Sequence, residues 1–264
     1  QAKSVRALLS RALSTVRPHL LPGRCSICSG TLKPSEPCLC NQCVDELPWL
    51  TTQCIQCAVP LSSNSLCANC QIKPPAYNRC IAAFSYQEPI DKIIVRLKSD
   101  PYAAEIKQLC ALLAQRIFLS YPHTAPPQLV IPLPLHWRKM TQRGFNQSQI
   151  ISSLLANYFS QQKTSTTTLI DPEIKIRNDL CYRISNSQPQ HTLDKKQRAK
   201  TVRKGFATTP QAASILRGLS VAVVDDVVTT GATANAIAAA LRNAGADKVD
   251  IWCLARTSWN NSPQ

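Results

Sequence analysis

The stretch Val221-Ala222-Val223-Val224-Asp225-Asp226-Val227-Val228-Thr229-Thr230-Gly231-Ala232-Thr233 decides the reading of this chain. An apolar run rich in β-branched residues, too short to cross a membrane, reads as a strand buried on both faces. Two carboxylates end it, a small polar turn follows, and the spacing predicts an alanine-rich helix over about 234–243. Each part has a use if a ribose 5-phosphate sits at the strand's C-terminal end. Asp225 and Asp226 can accept hydrogen bonds from the ribose 2- and 3-hydroxyls. The amides of Thr229, Thr230, Gly231, Ala232 and Thr233, at a helix N-terminus, can cradle the phosphate. Gly231 lets the backbone come close, and the Thr230 and Thr233 hydroxyls add donors. The plain alternative is an ordinary strand-to-helix corner with two solvated aspartates and a threonine cap. An acidic pair running straight into T-T-G-A-T is far rarer than a loose glycine pattern, and no G-x-x-x-x-G-K-[ST] or G-x-G-x-x-G competes with it.

Working outward, helix and strand patterns alternate from about residue 78 onward, as βαβ units require. The 264 residues suffice for one such α/β domain plus a smaller module. No window approaches the roughly 18 apolar residues of a membrane span, so stable membrane insertion is not expected. In the first twenty residues Lys3, Arg6, Arg11 and Arg17 are spread out, with no apolar core or small-residue cleavage site, unlike a secretory signal. Val5, Leu8, Leu9, Ala12, Leu13 and Val16 instead fall at helical spacing, which predicts an amphipathic helix over 1–22. The formal net charge of +15 favours phosphate-rich partners, a small polyphosphorylated molecule or nucleic acid, without separating the two. Part of that charge is concentrated in Lys195, Lys196, Arg198, Lys200, Arg203, Lys204 and Arg217, a solvated helix or a lid lined for phosphates.

Eight of the thirteen cysteines form C-x-x-C pairs: Cys25/Cys28, Cys40/Cys43, Cys54/Cys57 and Cys67/Cys70. Two-residue spacing lets two thiolates chelate one metal from a tight turn, and four thiolates make a closed tetrahedral zinc site. Four pairs in under fifty residues predict a double zinc ribbon over 23–75, holding one or two structural Zn2+ ions. Sequential and interleaved pairings both satisfy the spacing, and short loops favour the sequential one. Cys38 is a poorer stand-in for Cys40, and Cys80, Cys110, Cys181 and Cys253 read as core thiols.

Between these landmarks, strands are predicted over 78–86 and 128–132, with helices over 90–98 and 103–119. Then comes Pro132-Leu133-Pro134-Leu135-His136-Trp137-Arg138-Lys139-Met140-Thr141-Gln142-Arg143-Gly144-Phe145-Asn146-Gln147. A proline-stiffened exit from a strand, then closely spaced cations and a glycine, suits a loop wrapping an anion. Asn146 is placed to cap the helix that follows, over about 146–159. A strand over 179–184 carries Arg183, a polar loop and a basic helix over about 193–202 come next, and 248–256 is a last strand.

The acidic pair and its turn resemble the phosphoribosyl pyrophosphate (PRPP) motif of type I phosphoribosyltransferases. With L-K at Leu97-Lys98, P-L-H-W-R…R-G-F-N-Q, Q-x-x-L from Gln190, G-F at Phe206, W-C-L-A-R-T and the cysteine pairs, the chain is similar to the ComF family, including GntX-type DNA-utilisation proteins of bacteria. The resemblance implies an α/β fold: a mostly parallel phosphoribosyltransferase-like sheet over 76–264 with helices on both faces, behind the small N-terminal double zinc ribbon. It implies PRPP bound with Mg2+, cytoplasmic location, and a part in natural competence or the use of external DNA. Asp225 and Asp226 would orient the sugar; Lys98, Arg138 and Arg143 would hold the leaving pyrophosphate. Gly144 and Asn146 match the family's basic loop, and Arg183, Gln190 and Arg198 a mobile flap. Thr201 stands where relatives usually have Asn, which removes part of a polar contact. No residue stands out as a general base and no segment reads as a nucleobase pocket. Three readings therefore stay open: a PRPP-dependent transferase with an unidentified acceptor, a non-catalytic PRPP-sensing protein of the DNA-uptake machinery that assembles with other uptake proteins, and a handler of single-stranded DNA. Only Trp49, Tyr77 and Phe84 lie near the ribbons, few for a base-stacking platform.

Overall fold

The computed structural model describes residues 23–124, 126–127, 129–162, 174–184 and 205–258. The expected N-terminal helix and the basic helix over 193–202 lie outside them. The strands are β1 (Arg79–Ser85), β2 (Leu129–Pro132), β3 (Lys175–Ile176), β4 (Cys181–Arg183), β5 (Phe206–Thr208), β6 (Ser220–Val228) and β7 (Lys248–Arg256). The helices are α1 (Asn41–Asp45), α2 (Ala68–Ile72), α3 (Ile90–Leu97), α4 (Ala104–Leu119), α5 (Trp137–Arg143), α6 (Gln147–Gln162), α7 (Ala212–Leu216) and α8 (Ala232–Asn243). Among the described residues no helix is long and apolar enough to cross a membrane.

The main sheet has the order β1-β7-β6-β2-β3, and every pair in it is parallel. Parallel strands need helices on both faces. Ala222 and Val224 of β6 enter one core with α3, α4 and α6; Val221 and Val223 enter the other with α7 and α8. The fully buried Trp252 belongs to the α4 face, Cys80 and Cys253 to the α8 face. The strand expected over 179–184 forms as β4 and pairs with β5, antiparallel, in a separate two-stranded sheet. Its partner β5 reads weakly in sequence because it is three residues long.

The chain leaves β2 outward to β3 and leaves β6 the opposite way to β7, although β2 and β6 are neighbours. That reversal opens a crevice beyond their C-terminal ends, where ligands of open α/β sheets bind. Both connections start there: β2 runs into α5, and β6 runs into the Thr229–Thr233 turn and α8.

The cysteine-rich segment straddles the β1 edge. Leu50 N donates to Ala83 O (3.0 Å) and Ser85 N to Pro48 O (2.8 Å), so residues 48–50 cover an edge otherwise open to pairing. Trp49 packs on Phe84 with ring centroids 4.8 Å apart and donates from Nε1 to Val44 O (2.8 Å). Cys25, Cys38, Leu39 and Cys43 lie in the α4-side core, while Cys54, Cys57, Cys67 and Cys70 lie in the α8-side core. Each half of the segment thus belongs to a different face of the sheet.

Candidate functional site

The expected strand runs on through both aspartates to Val228, and α8 begins at Ala232, two residues earlier than expected. β2 stops opposite Val224, at Pro132, so Asp225 is the first residue past that partner. Leu133 N still donates to Val224 O (2.9 Å). Asn146 then fastens the corner: its Nδ2 donates to Leu133 O (3.0 Å), and its Oδ1 accepts from Ser148 N (3.0 Å), which caps α6 as expected. Gly144 holds φ +77 at the end of α5, a left-handed turn that suits glycine. The expected loop over Arg138 and Arg143 is therefore corrected: both lie on a short helix, capped where His136 Nδ1 accepts from Arg138 N.

Asp225 Oδ1 accepts from Asp226 N (2.9 Å) and, at 3.5 Å, from Ser148 Oγ; Asp226 Oδ1 accepts from Val227 N (2.9 Å). Burial, and next the charge of Asp226 beside it, push the Asp225 carboxyl well above the usual carboxylate range. Neither aspartate ion-pairs with a described residue. Such a carboxylate suits a cation or donor hydroxyls, which is the donor set of a sugar with a divalent ion. In the free protein it is a burden. A carboxyl whose folded pKa is raised contributes stability fully present below its unfolded value, about 3.9, and lost as pH rises through the folded one. Asp225→Asn is thus expected to raise the thermal midpoint at pH 7–8, a gain that fades as pH falls toward 4; thermal melts across that range measure it.

The turn after β6 is built to present amides. Gly231 has φ +78 and caps α8, whose first amides have no intrahelical acceptor. Ala232 N approaches Thr230 Oγ1 (3.3 Å). Arg256, 1% exposed, holds the turn from beneath: it donates to the carbonyls of Cys57 (2.9 Å), Val228 (3.0 Å), Thr257 (3.2 Å) and Thr229. Thr257 Oγ1 also donates to Thr229 O (3.2 Å).

The two cysteine tetrads are built alike. Sulfurs of Cys25, Cys28, Cys40 and Cys43 lie within 4.8 Å of one another, and so do those of Cys54, Cys57, Cys67 and Cys70. This is the sequential pairing. In each, a C-x-x-C turn is followed by a left-handed residue, Ser29 (φ 62) or Ala58 (φ 57), and the second pair starts a five-residue helix. Burial would raise the Cys25 thiol, but the amides of Cys28, Cys40 and Ile27 bring it down to about 6. Cys54 comes down to about 7 in the same way, against its burial, through the amides of Cys57, Cys67 and Gln56. Amides trained on sulfur and four converging thiols fit a tetrahedral zinc ion in either tetrad. Cys38 is no ligand: it donates to Gln108 Oε1 (3.0 Å), which ties the first tetrad to α4.

Two comparisons bear on kinship. The chain is 30% identical over 240 residues to the DNA utilization protein YhgH of Salmonella typhimurium, covering 90% of this chain and 98% of that one. The chain belongs to the ComF family. A ComF-family relative with a name from competence, competence protein F of Haemophilus influenzae, is 27% identical over 236 residues, 88% of this chain and 96% of its own. Residues 178–261 match the phosphoribosyl transferase domain model, a stretch that holds both aspartates and the turn after them. Among solved structures, the glutamine PRPP amidotransferase from B. subtilis overlays with a TM-score of 0.34 at 18% identity, over 55% of this chain and 25% of that one, too loosely to bear on the fold.

Of the expected site residues, Asp225, Asp226, Thr229 to Thr233 and Asn146 come together at the β2/β6 crevice, with Arg138, Arg143 and Gly144 on the connection just above it. Lys98 ends α3; the linker after it and the α5–α6 corner border a groove of about 540 Å3 that also takes in Lys107. Arg183 stands apart on β4, its guanidinium over the Phe206 ring. None of Lys98, Arg138, Arg143 and Arg183 ion-pairs with a described residue. Gln190 and Arg198 lie outside the described residues. Sequence reasoning passed over Ser148 and Arg256, both in segments it quoted or bordered. It also left unweighed Gln147, whose buried Nε2 has no acceptor among the described residues.

Proposed function

We propose that this protein binds PRPP at the crevice between β2 and β6 and acts in the uptake and use of external DNA, transferring the phosphoribosyl group to an acceptor. The observation that carries the reading is the meeting, at a topological switch point, of a charge-strained carboxylate pair with a glycine-capped helix N-terminus. Asp225 and Asp226 would orient the ribose hydroxyls, and the Thr229–Thr233 amides would hold the 5-phosphate. Arg138, Arg143 and Lys98, which ion-pair with no described residue, would neutralise the pyrophosphate as its bond to ribose C1 breaks. Asp225 and Asp226 would also help hold Mg2+ bound with PRPP, which would supply further charge neutralisation. The names of the relatives support the biological setting.

Calorimetric titration of magnesium-PRPP tests the site. Micromolar binding is expected, weakened about 100-fold or more in an Asp225→Asn/Asp226→Asn double variant, since hydrogen bonds to charged groups contribute about 1.5–3 kcal/mol each and two are affected. Absence of heat from the folded, zinc-loaded protein would sink the reading. No described residue around the aspartates is placed as a general base, which favours a PRPP-sensing role as the second reading. Pyrophosphate release with nucleobases or nucleosides present separates the two. The charge of +15 supports contact with single-stranded DNA as well; a binding constant independent of salt would remove it.

A further inference from the structure

Among the described residues only two buried side-chain nitrogen or oxygen atoms lack a hydrogen-bond partner. One is Gln53 Oε1, on a half-buried residue of the cysteine-rich segment; the other is Gln147 Nε2. Gln147 is 3% exposed, beyond easy reach of bulk water. A buried donor left unpaired is destabilising, so its presence calls for a reason. The acceptors around it are already engaged. Asn146 Oδ1 accepts from Ser148 N (3.0 Å), and Leu133 O from Asn146 Nδ2 (3.0 Å). Ser148 O accepts from Ser152 Oγ (2.7 Å), and Asp225 Oδ1 from Asp226 N (2.9 Å) and Ser148 Oγ (3.5 Å).

The backbone aims this donor at the crevice. Gln147 opens α6 one turn before Ile151 and on the same face, and Ile151 is fully buried in the α4-side core. Side chains on a helix lean toward its N-terminus. α6 begins where Asn146 is tied to Leu133, just past the end of β2. The lean therefore carries the carboxamide toward the C-terminal ends of β2 and β6, where the neighbouring Ser148 reaches Asp225. A sugar hydroxyl seated there has two needs, since it donates its proton and its oxygen accepts. Ionised aspartates only accept, so Asp225 and Asp226 meet the first need and leave the second. With the 5-phosphate at the turn after β6 and the pyrophosphate at α5, ribose C1 and its neighbour C2 lie on the α6 side. The 2-hydroxyl is thus the one on the Gln147 side.

We propose that Gln147 is a specificity-determining residue: its carboxamide donates to the ribose 2-hydroxyl oxygen, whose proton goes to the acidic pair. The inference rests on the PRPP reading and deepens it. A donor and an acceptor both committed to one hydroxyl reject a sugar that lacks it, because both would stay buried and unpaired. The protein would thereby tell ribose phosphates from the deoxyribose phosphates of DNA.

The test is calorimetry with ribose 5-phosphate, 2-deoxyribose 5-phosphate and magnesium-PRPP on the zinc-loaded full chain, Gln147→Leu and Gln147→Met. Circular dichroism and zinc content check the fold of each, and two apolar replacements of different shape keep a packing defect in one from deciding the result. The unaltered protein is expected to prefer ribose 5-phosphate over its 2-deoxy analogue about thirtyfold, and both variants only about threefold, with the loss falling on the ribose sugar. A preference that stays the same in the variants overturns the inference; magnesium-PRPP binding by the unaltered protein then leaves the PRPP reading standing. A Gln147-dependent preference without binding of magnesium-PRPP upholds the inference and overturns that reading. Binding of none of the three ligands overturns both.

Discussion

Stripping zinc from the two tetrads is expected to unfold the edge of the sheet along with the cysteine-rich segment, and in two steps. Structural zinc sites contribute about 10–16 kcal/mol in isolated peptides, as much as the whole stability of an ordinary domain. Here the ligands are not on a detachable module. Cys25 and Cys43 share a core with Ile81 and Ala83 of β1, and Cys54 and Cys57 share the core on its other face with Cys80 and Ala82. Residues 48–50, hydrogen-bonded to β1, join the two tetrads. The order of loss follows burial. Cys28 is exposed, whereas all four cysteines of the second tetrad are buried. A chelator therefore reaches the first ion by local opening and the second only after wider unfolding. Purified protein is expected to hold two zinc ions. A metallochromic chelator should read a fast and a slow release of equal amplitude, with hydrogen exchange of β1 amides rising in the slow phase. Cys28→Ser should remove the fast phase alone, while Cys57→Ser should leave little soluble protein. Both releases should quicken as pH falls, because protons compete for the thiolates that bind metal. A single phase, or β1 amides that stay protected after both ions leave, would show that the segment is an appendage.

Much of this architecture was legible in the sequence because its signals are local. The valine-rich run, the acidic pair, the T-T-G-A-T turn and the C-x-x-C spacings each state their geometry within a dozen residues. The ends of β7 and α4 came out within one residue because apolar runs bounded by polar residues define both. What was not legible depends on contacts between distant segments. The helix at Trp137–Arg143 looked like a loop, since Pro132 and Pro134 precede it and its surface is polar; His136 and Gly144 close its ends. β4 was legible as a strand over 179–184, but three residues of strand say nothing about their partner. Arg256 looked like the polite end of a strand. Its role appears only when the carbonyls of Cys57, Val228 and Thr229, from segments up to 199 positions away, converge on one guanidinium.

Arg256→Met is expected to cost about 3 kcal/mol of stability and to loosen the turn after β6. Arg256 is buried beneath that turn and has no carboxylate partner among the described residues, so its hydrogen bonds to carbonyls are what compensate its burial. Methionine would fill much of the volume and lift the cost of the buried charge. It would also orphan Cys57 O, and it would leave Thr229 O with only the Thr257 hydroxyl. The orphaned Cys57 carbonyl costs about 1–3 kcal/mol, and the hydrogen bonds lost at Val228 O and Thr229 O, which keep other donors, add about 1 kcal/mol, which gives the estimate. Denaturant titration at constant m-value measures it. The functional consequence should exceed the stability loss, because Arg256 is the tie between the second tetrad, through Cys57, and the turn, through Val228 and Thr229. With that tie gone, amide exchange at 229–234 should rise while zinc content stays at two ions. Ribose 5-phosphate affinity should fall with it, since amides that must be ordered on binding hold an anion less tightly than amides already in place. Arg256→Lys should rescue little: one ammonium cannot span carbonyls that a guanidinium reaches from Nε and Nη1 in a fixed fork. Full affinity and unchanged exchange in Arg256→Met would mean that the turn keeps its shape without its tie to the tetrad.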